Sequence, residues 1–141
     1  MAEHDKRLIY LISRSVSRLK YYSIERFSSE GVTVTPSQMG ILFLLSKEKE
    51  MTMSEISLIL NVDNSTLTRL ADRLEKQELI ERVRDSSDRR VSRLRITKRG
   101  FSESAKALKI TKDINNKIRE GFNDSEIEIF IKVLESFFKK F

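Results

Sequence analysis

Few side chains in this sequence could carry catalytic or metal chemistry. There is no cysteine and a single histidine, His4, so thiol chemistry is excluded and a histidine-based metal site lacks ligands. Asp85 and Asp88 stand three positions apart and could form an acid/base or metal-binding pair. Arg89 and Arg90 follow them directly, which favours ion pairing instead. Since there is also no glycine-rich phosphate loop, we expect neither an enzyme nor a bound cofactor.

Positive charge is the second chemical feature of the chain, and it is unevenly placed. The net charge is +6 over 141 residues. Residues 64–100 hold 11 Lys or Arg against 6 Asp or Glu, whereas residues 1–63 are neutral and residues 101–141 sum to +1. Concentrated positive charge attracts phosphate groups, so the expected partner is a nucleic acid. A basic surface that is merely solvated is the alternative.

A helix, a turn and a second helix are predicted at the start of this basic segment. Residues 52–60 begin with a capping box, Thr-Met-Ser-Glu, and Asp63 can cap a helix over residues 64–76. The inward side chains expected on the first helix are Ile56, Ile59 and Leu60. The second helix has a polar face suited to base edges and phosphates, formed by Asn64, Ser65, Thr66, Thr68, Arg69 and Arg73. For the Ser and Thr residues, ordinary helix-start composition is the alternative.

A basic hairpin follows the two helices. The apolar period changes from 3.6 to 2, which predicts strands at residues 79–84 and 91–96. Six arginines lie between Arg82 and Arg95, and so small a hairpin must lie against the helices to be stable. We call this hairpin the wing. Its tip places the consecutive residues Arg89 and Arg90 where a narrow minor groove could receive one of them.

Long amphipathic helices flank the basic segment. Residues 6–29 repeat apolar side chains at helical spacing. Thr35-Pro-Ser-Gln38 then opens a nearly apolar helix that we expect to be buried, and residues 47–50 read as a solvated link. A further helix starts at Thr97, with expected inward side chains Phe101, Ala105, Leu108, Ile110, Ile114 and Ile118.

The last helix should begin at a capping box formed by Asn123 and Glu126, after a break at Gly121. Its apolar stripe ends in Phe137, Phe138 and Phe141, where a monomer has little left to cover them. A partner surface is the natural cover, and the first helix offers a matching one.

Taken together, these motifs resemble the MarR family of bacterial and archaeal transcription regulators. The resemblance covers almost the full length and rests on TPSQM at 35–39, LADRLEK at 70–76, LIER at 79–82, DSSDRR at 85–90 and ITKRG at 96–100. It implies a mainly α fold with a small β-hairpin wing. In that fold a winged helix-turn-helix, residues 35–97, is flanked by long N- and C-terminal dimerisation helices, residues 1–34 and 98–141.

The resemblance also implies a function. Such proteins are homodimers that bind a pseudo-palindromic operator in double-stranded DNA, and many are repressors released by a small aromatic or anionic effector. The helix matching residues 63–77 enters the major groove, while Arg90 works at the minor groove and Asp88 holds it or a neighbouring arginine. The effector crevice would be lined by Arg14, Arg18, Tyr21, Tyr22, Met39 and Phe43, for which plain core packing is the alternative.

Two positions depart from the family pattern. Glu78 stands where members usually have Gly, so the helix before the wing either ends in a strained left-handed residue or ends at a different position. Both outcomes leave the wing orientation open. Ser86 replaces a frequent Pro, which should make the tip looser. The absence of cysteine excludes thiol-based sensing, and a single histidine argues against a zinc sensor.

The sequence also bears on the cellular location and on one rival function. The N-terminus lacks the order of a signal peptide and no 18-residue apolar run occurs, so we expect a cytoplasmic protein without membrane contact. The rival is a winged-helix protein-interaction module without specific DNA binding. Basic residues on both the second helix and the wing argue against it.

Overall fold

The computed structural model describes residues 7–141, so His4 lies outside the described residues. The elements in chain order are α1 (Leu8–Ser29), α2 (Pro36–Glu48), β1 (Glu50–Thr52), α3 (Met53–Leu60), α4 (Asn64–Lys76), β2 (Ile80–Arg84), β3 (Ser92–Ile96), α5 (Lys98–Arg119) and α6 (Asp124–Lys140). The strands form one antiparallel sheet in the order β1-β3-β2. The predicted mainly α fold with a small wing is therefore confirmed.

Two compact units make up the chain, one ending at Ile110 and the other spanning Thr111–Phe141. The core of the first unit lies among α2, α3, α4 and the sheet, and its fully buried side chains include Ile41, Leu42, Leu45, Ile56, Leu67, Leu74, Leu79 and Leu94. In the second unit, Ile114 on α5 and Ile127 on α6 are buried. The first unit thus contains the whole predicted helix-turn-helix and wing.

Helix boundaries follow the local capping signals. The capping boxes that begin at Thr35, Thr52 and Asn123 are all formed, each with both reciprocal hydrogen bonds. Gly31 and Gly121 follow α1 and α5 with φ of 72° and 85°. These features were predictable because each depends on residues within one helical turn.

The prediction for residues 47–50 is right that residues 47–49 are exposed but wrong that this segment is a separate link. Helix α2 continues to Glu48, and Glu50 begins strand β1, which pairs with β3 so that Glu50 lies opposite Arg95. Lys49 makes the turn between them with φ of 67°, and its carbonyl accepts a hydrogen bond from the Ile96 N–H at 3.1 Å. Because β1 has three residues and its partner lies more than 40 positions away, no local pattern indicated it.

The inward face predicted for α3 is wrong at Ile59. This side chain is 57% exposed, whereas Ile56 is fully buried and Leu60 half-buried. The packed line of α3 follows Met53, Ile56 and Leu60, spaced three and four residues apart, so Ile59 falls outside it.

The inward face predicted for α5 is wrong in its first three turns. Phe101, Ala105, Leu108 and, further along, Ile118 are exposed, whereas Ile110 and Ile114 are buried as expected. The side chains buried instead are Glu103, Ser104 and Ala107. Two of these three side chains are small, and none belongs to the apolar pattern on which the prediction was based.

Gly100 marks a close approach at the start of α5. A Cβ at this position would lie 1.9 Å from the carbonyl oxygen of Leu79 and 2.9 Å from the Ile96 side chain. Leu79 connects α4 to β2 and is fully buried. The first turn of α5 therefore rests directly on the backbone between the second helix of the helix-turn-helix and the wing.

We predict that Gly100→Ala lowers the free energy of unfolding by about 3 kcal/mol or more, because backbone atoms must shift to admit the methyl group. Urea unfolding measures this loss. Gly31→Ala is the control: it has open space but positive φ, so it should cost only about 1 kcal/mol. Equal losses in the two variants would contradict the close contact at Gly100.

Candidate nucleic-acid interface

Helix α4 presents a polar face opposite its buried stripe. Leu67, Ala71 and Leu74 are fully buried in the core. The predicted contact residues lie on the other side: Thr66 is half-buried, and Asn64, Ser65, Thr68, Arg69 and Arg73 are exposed. Sequence periodicity thus placed this set correctly on one solvent-facing surface.

Asp63 organises the first turn of α4. Its Oδ1 accepts a hydrogen bond from the Thr66 N–H at 2.8 Å, and the Ser65 hydroxyl donates to its Oδ2 at 3.3 Å. The bonds from Thr66, with smaller contributions from Ser65 and the charge of Arg69, lower the pKa of Asp63 below its ordinary value. The cap therefore stays ionised at neutral pH and holds Ser65 and Thr66 in place.

The hydroxyl of Thr68 is already committed within α4. It donates to the carbonyl oxygen of Asn64 at 2.7 Å. Since its one hydrogen is used there, Thr68 presents a methyl group and an acceptor to the outside. Such a surface suits a thymine methyl or an amino group on a base edge.

Arg82 at the start of the wing neutralises two carboxylates on α4. Its guanidinium lies 2.6 Å from Asp72 and 3.2 Å from Glu75, and its backbone N–H also donates to Glu75. These contacts tie β2 to α4. They also reduce the repulsion that Asp72 and Glu75 would exert on a phosphate backbone.

Two more wing arginines are tied to carboxylates across the sheet. Arg93 contacts Glu50 at 2.9 Å and Asp85 at 3.2 Å. Arg95 contacts Glu50 at 3.1 Å and Glu81 at 3.3 Å. Hydrogen bonds and charges from these carboxylates raise the pKa of Arg95, so it stays protonated and bound.

The remaining wing arginines are Arg84, Arg89 and Arg90. Arg84 and Arg89 are exposed and form no ion pair among residues 7–141. Arg90 is held by Asp88, which accepts hydrogen bonds from its backbone N–H at 3.0 Å and its Nε at 3.2 Å, yet its side chain is 91% exposed. Arg84 was not among the predicted contact residues. The sequence around Arg84 does not distinguish it from Arg93 or Arg95, because only the fold decides which arginines contact carboxylates.

The wing tip is held by Asp85. Its Oδ1 accepts hydrogen bonds from the Ser87 hydroxyl at 2.6 Å and the Ser87 N–H at 2.9 Å, and its backbone N–H donates to Val91 at 3.1 Å. The two bonds from Ser87, with a smaller contribution from Arg93, lower the pKa of Asp85 to about 2. The alternative of an acid/base or metal role for Asp85 is not supported, since its oxygens are used within the tip.

Glu78 stands where the family usually has glycine, and its backbone conformation shows how α4 ends. It takes the left-handed conformation itself, with φ of 60°, and follows Gln77, the residue that closes α4. Its carbonyl accepts a hydrogen bond from the Thr97 hydroxyl at 2.8 Å, and its carboxylate lies 3.4 Å from Arg99. The helix therefore ends as it would with glycine, and the hydrogen bond from Thr97 holds the Glu78 backbone in this conformation.

The predicted effector residues are placed on α1 and α2. Arg14, Arg18 and Tyr21 are exposed, and Tyr22, Met39 and Phe43 are half-buried. Arg14 donates to the Tyr10 hydroxyl at 2.9 Å, and the Lys47 ammonium lies 4.4 Å from the centre of the Phe43 ring. An open cleft of about 440 Å³ occurs nearby, but its lining consists of Ile24, Phe27, Ser28 and residues 31–36, with none of the six. Their assignment to an effector crevice stays a prediction.

Within residues 7–141, no group of three or more His, Cys, Asp or Glu side chains is arranged to hold a metal ion. Across the same residues, no helix has both the length and the apolar character needed to cross a membrane.

Comparison with known proteins decides the family. The MarR family model matches residues 34–92. An uncharacterized HTH-type transcriptional regulator of Bacillus subtilis, YsmB, is 37% identical over 101 residues, which are 72% of this chain and 69% of YsmB. This chain belongs to the MarR family. It is thus a transcriptional regulator of that family, which is not a family of enzymes, and the resemblance noted in the sequence is confirmed.

Two further relatives extend the comparison. The HTH-type transcriptional repressor MdtR of B. subtilis is 41% identical over 73 residues, which cover 52% of this MarR-family chain and 47% of MdtR. The solved structure of the transcriptional repressor CouR bound to a 23-mer DNA duplex is similar with a TM-score of 0.84 and 25% identity, covering 97% of this chain and 96% of CouR.

We predict that Glu78→Gly raises the free energy of unfolding by about 1 kcal/mol, because glycine takes a positive φ without a Cβ clash. The exposed ion pair with Arg99 that is lost contributes little. Urea unfolding should be compared with Glu78→Ala, which loses the same ion pair but keeps the Cβ. A glycine variant no more stable than the alanine variant would show that Glu78 is unstrained.

A second prediction concerns the pH dependence of the wing tip. Because the pKa of Asp85 is depressed to about 2 from 3.8, its tip contacts are fully present above pH 3.8 and are lost as the pH falls through about 2. Ser87→Ala removes the hydroxyl bond and should raise this pKa towards 3.8, as followed by the NMR titration of the Asp85 carboxyl carbon. Ser86→Ala is the matched control and should leave the pKa unchanged. A midpoint near 3.8 in the unmodified protein would refute this account of the tip.

Proposed function

We propose that this chain is a homodimeric, sequence-specific DNA-binding regulator, and that it is a repressor released from its operator by a small molecule. The observation that carries the DNA-binding part is the exposed polar face of α4 together with three exposed arginines of the wing. These outer arginines are Arg84, Arg89 and Arg90, and none of them is bound to a carboxylate of the sheet. Short side chains in the first turns of α4 allow it to lie close to base edges, and Arg69 and Arg73 can reach guanine or phosphate.

The geometry of the wing is evidence for contact with a second groove of the DNA. Arg90 extends into solvent while Asp88 fixes its backbone and the base of its guanidinium. An arginine presented in this way suits the strongly negative potential of a narrow minor groove. Arg84 and Arg89, which are exposed and unpaired among the described residues, are suited to the flanking phosphates.

Exposed apolar side chains support the homodimer. Those on α1 include Leu8, Ile9, Leu11, Ile12, Val16 and Leu19, and those on α6 include Phe130, Ile131, Val133 and Leu134. Phe138 and Phe141 are 88% and 97% exposed. Apolar surface on this scale is normally covered by a partner. We therefore assign residues 1–34 and 98–141 to dimerisation and residues 35–97 to DNA binding.

The proposals that the protein is a repressor and that a small molecule releases it rest on the named relatives and on side chains of α1 and α2. Both MdtR and CouR are named repressors. The effector we propose is a small aromatic or anionic compound, since the candidate residues on α1 and α2 combine arginines with aromatic rings: Arg14, Arg18, Tyr21, Tyr22, Met39 and Phe43. A DNA-binding regulator must be in the same compartment as its DNA, so we assign this protein to the cytoplasm.

Selection of bound duplexes from a random pool tests the proposal, with sedimentation of the protein to measure its mass. We expect an inverted repeat whose half-sites are about one helical turn apart, bound by a particle of twice the mass of one chain. In the selected operator, Thr68 and Arg69 variants should change which bases are preferred. Recovery of no motif, with only weak salt-sensitive binding, would favour the protein-interaction module instead.

Two wing arginines should differ in their contribution to DNA affinity. Arg90→Ala should weaken operator binding and reduce the slope of log affinity against log salt by about one per protomer, because one phosphate-neutralising charge is lost from each. Arg95→Ala removes the same charge, but Arg95 is bound to Glu50 and Glu81 and should leave the slope unchanged. Fluorescence anisotropy at several salt concentrations measures both slopes. The same slope change in both variants would contradict the assignment of Arg90 to DNA binding and of Arg95 to ion pairs within the wing.

A further inference from the structure

Glu103 is a buried carboxylate that the proposed DNA contacts do not use. It lies on the second turn of α5 and is 8% exposed. Its Oε1 accepts two hydrogen bonds from Thr33, one from the backbone N–H at 2.5 Å and one from the hydroxyl at 3.0 Å. Because a buried carboxylate is costly unless it is hydrogen-bonded, these two contacts fix Thr33 to α5.

The opposite side of Thr33 is bonded to the end of α4. The Gln77 Nε2 donates to the Thr33 carbonyl oxygen at 3.3 Å. Gln77 is the C-cap of α4, and its backbone N–H donates to Arg73. Three residues far apart in sequence therefore form one chain of hydrogen bonds from Glu103 through Thr33 to Gln77.

The side-chain amide of Gln77 is held in an orientation that costs free energy. Its Oε1 is buried without a hydrogen-bond partner among the described residues. Turning the amide over would place this oxygen against the Thr33 carbonyl, so the bond to Thr33 dictates the orientation. A buried polar atom left unpaired in this way costs free energy.

A second connection joins α5 to the same end of α4. Thr97 donates through its hydroxyl to the Glu78 carbonyl and through its N–H to the Leu79 carbonyl at 3.1 Å, beside the close contact of Gly100. Together with the hydrogen bond from Gln77 to Thr33, these contacts join the C-terminal end of α4 to the start of α5 and to the loop before α2.

We infer that Glu103 and Gln77 are positioning residues which act through Thr33 to fix the angle of α4 against α5, and so the half-site spacing that the dimer accepts. The inference rests on the proposed function. A helix of 13 residues is about 20 Å long, so a rotation of about 5° at its C-terminal end moves Ser65 and Thr66 by about 1.5 Å. That displacement is enough to break hydrogen bonds to base edges.

The test compares four variants on the selected operator and on copies with the half-sites one base pair closer or further apart. Glu103→Ala should reduce affinity for the best spacing about three- to tenfold and weaken discrimination between spacings. Gln77→Ala should do the same. The double variant should lose no more than Glu103→Ala alone, because both residues act through Thr33. Glu103→Gln should bind within about twofold of the unmodified protein, since its amide oxygen can accept both bonds.

Charge and stability effects are separated by design. Loss of a negative charge alone should strengthen DNA binding, so weakening in Glu103→Ala but not in Glu103→Gln isolates the hydrogen bonds. Each variant is measured at a temperature where circular dichroism shows it folded. Equal loss on every spacing and on random DNA, or additive losses in the double variant, would overturn the inference.

Amide exchange without DNA keeps the inference separate from the proposed function. If the unmodified protein selects no operator, the proposed function fails. The positioning role is then tested by hydrogen exchange at the backbone N–H groups of residues 77–79. Faster exchange in Glu103→Ala than in Glu103→Gln supports the coupling of α5 to the end of α4, and equal rates overturn it.

Discussion

The contact between Gly100 and the backbone of Leu79 is the constraint on which the rest of the first unit depends. It brings α5 against the corner where α4 ends and the wing begins. Only a residue without a Cβ permits this approach, and the adjoining hydrogen bonds from Thr97 hold Glu78 in its left-handed conformation. The direction of α4 and the start of β2 are thus set by the same helix that we assign to dimerisation.

Ion pairs to α4 and across the sheet divide the arginines of the wing into two groups, and among the described residues Arg90 is paired only with Asp88 in the tip. Arg82, Arg93 and Arg95 are bound to carboxylates of α4 and the sheet, which stabilises the wing against the helices. The outer arginines extend towards solvent around a tip organised by Asp85. Net charge counted along the sequence therefore overstates the number of groups available to phosphate. Position in the fold separates the arginines that are bound to carboxylates from those that are left exposed.

Much of the fold, and the exposed face of α4 in the candidate interface, could be predicted from the sequence. The capping boxes and the polar face of α4 were placed correctly, since each depends on residues one to four positions apart. Strand β1 and the buried face of α5 were not. Both depend on partners tens of positions away: β3 in the first case, and the Leu79 backbone together with Thr33 in the second.

The sequence by itself determined the family, the order of helices and strands, and which residues share the exposed face of α4, because local periodicity and capping carry that information. The tertiary structure alone decided that Glu78 takes a positive φ, that Arg84 is unpaired among the described residues while Arg93 is not, and that Glu103 is joined to Gln77 through Thr33. Those outcomes depend on distances between segments that are remote in the chain. No spacing within one segment encodes them.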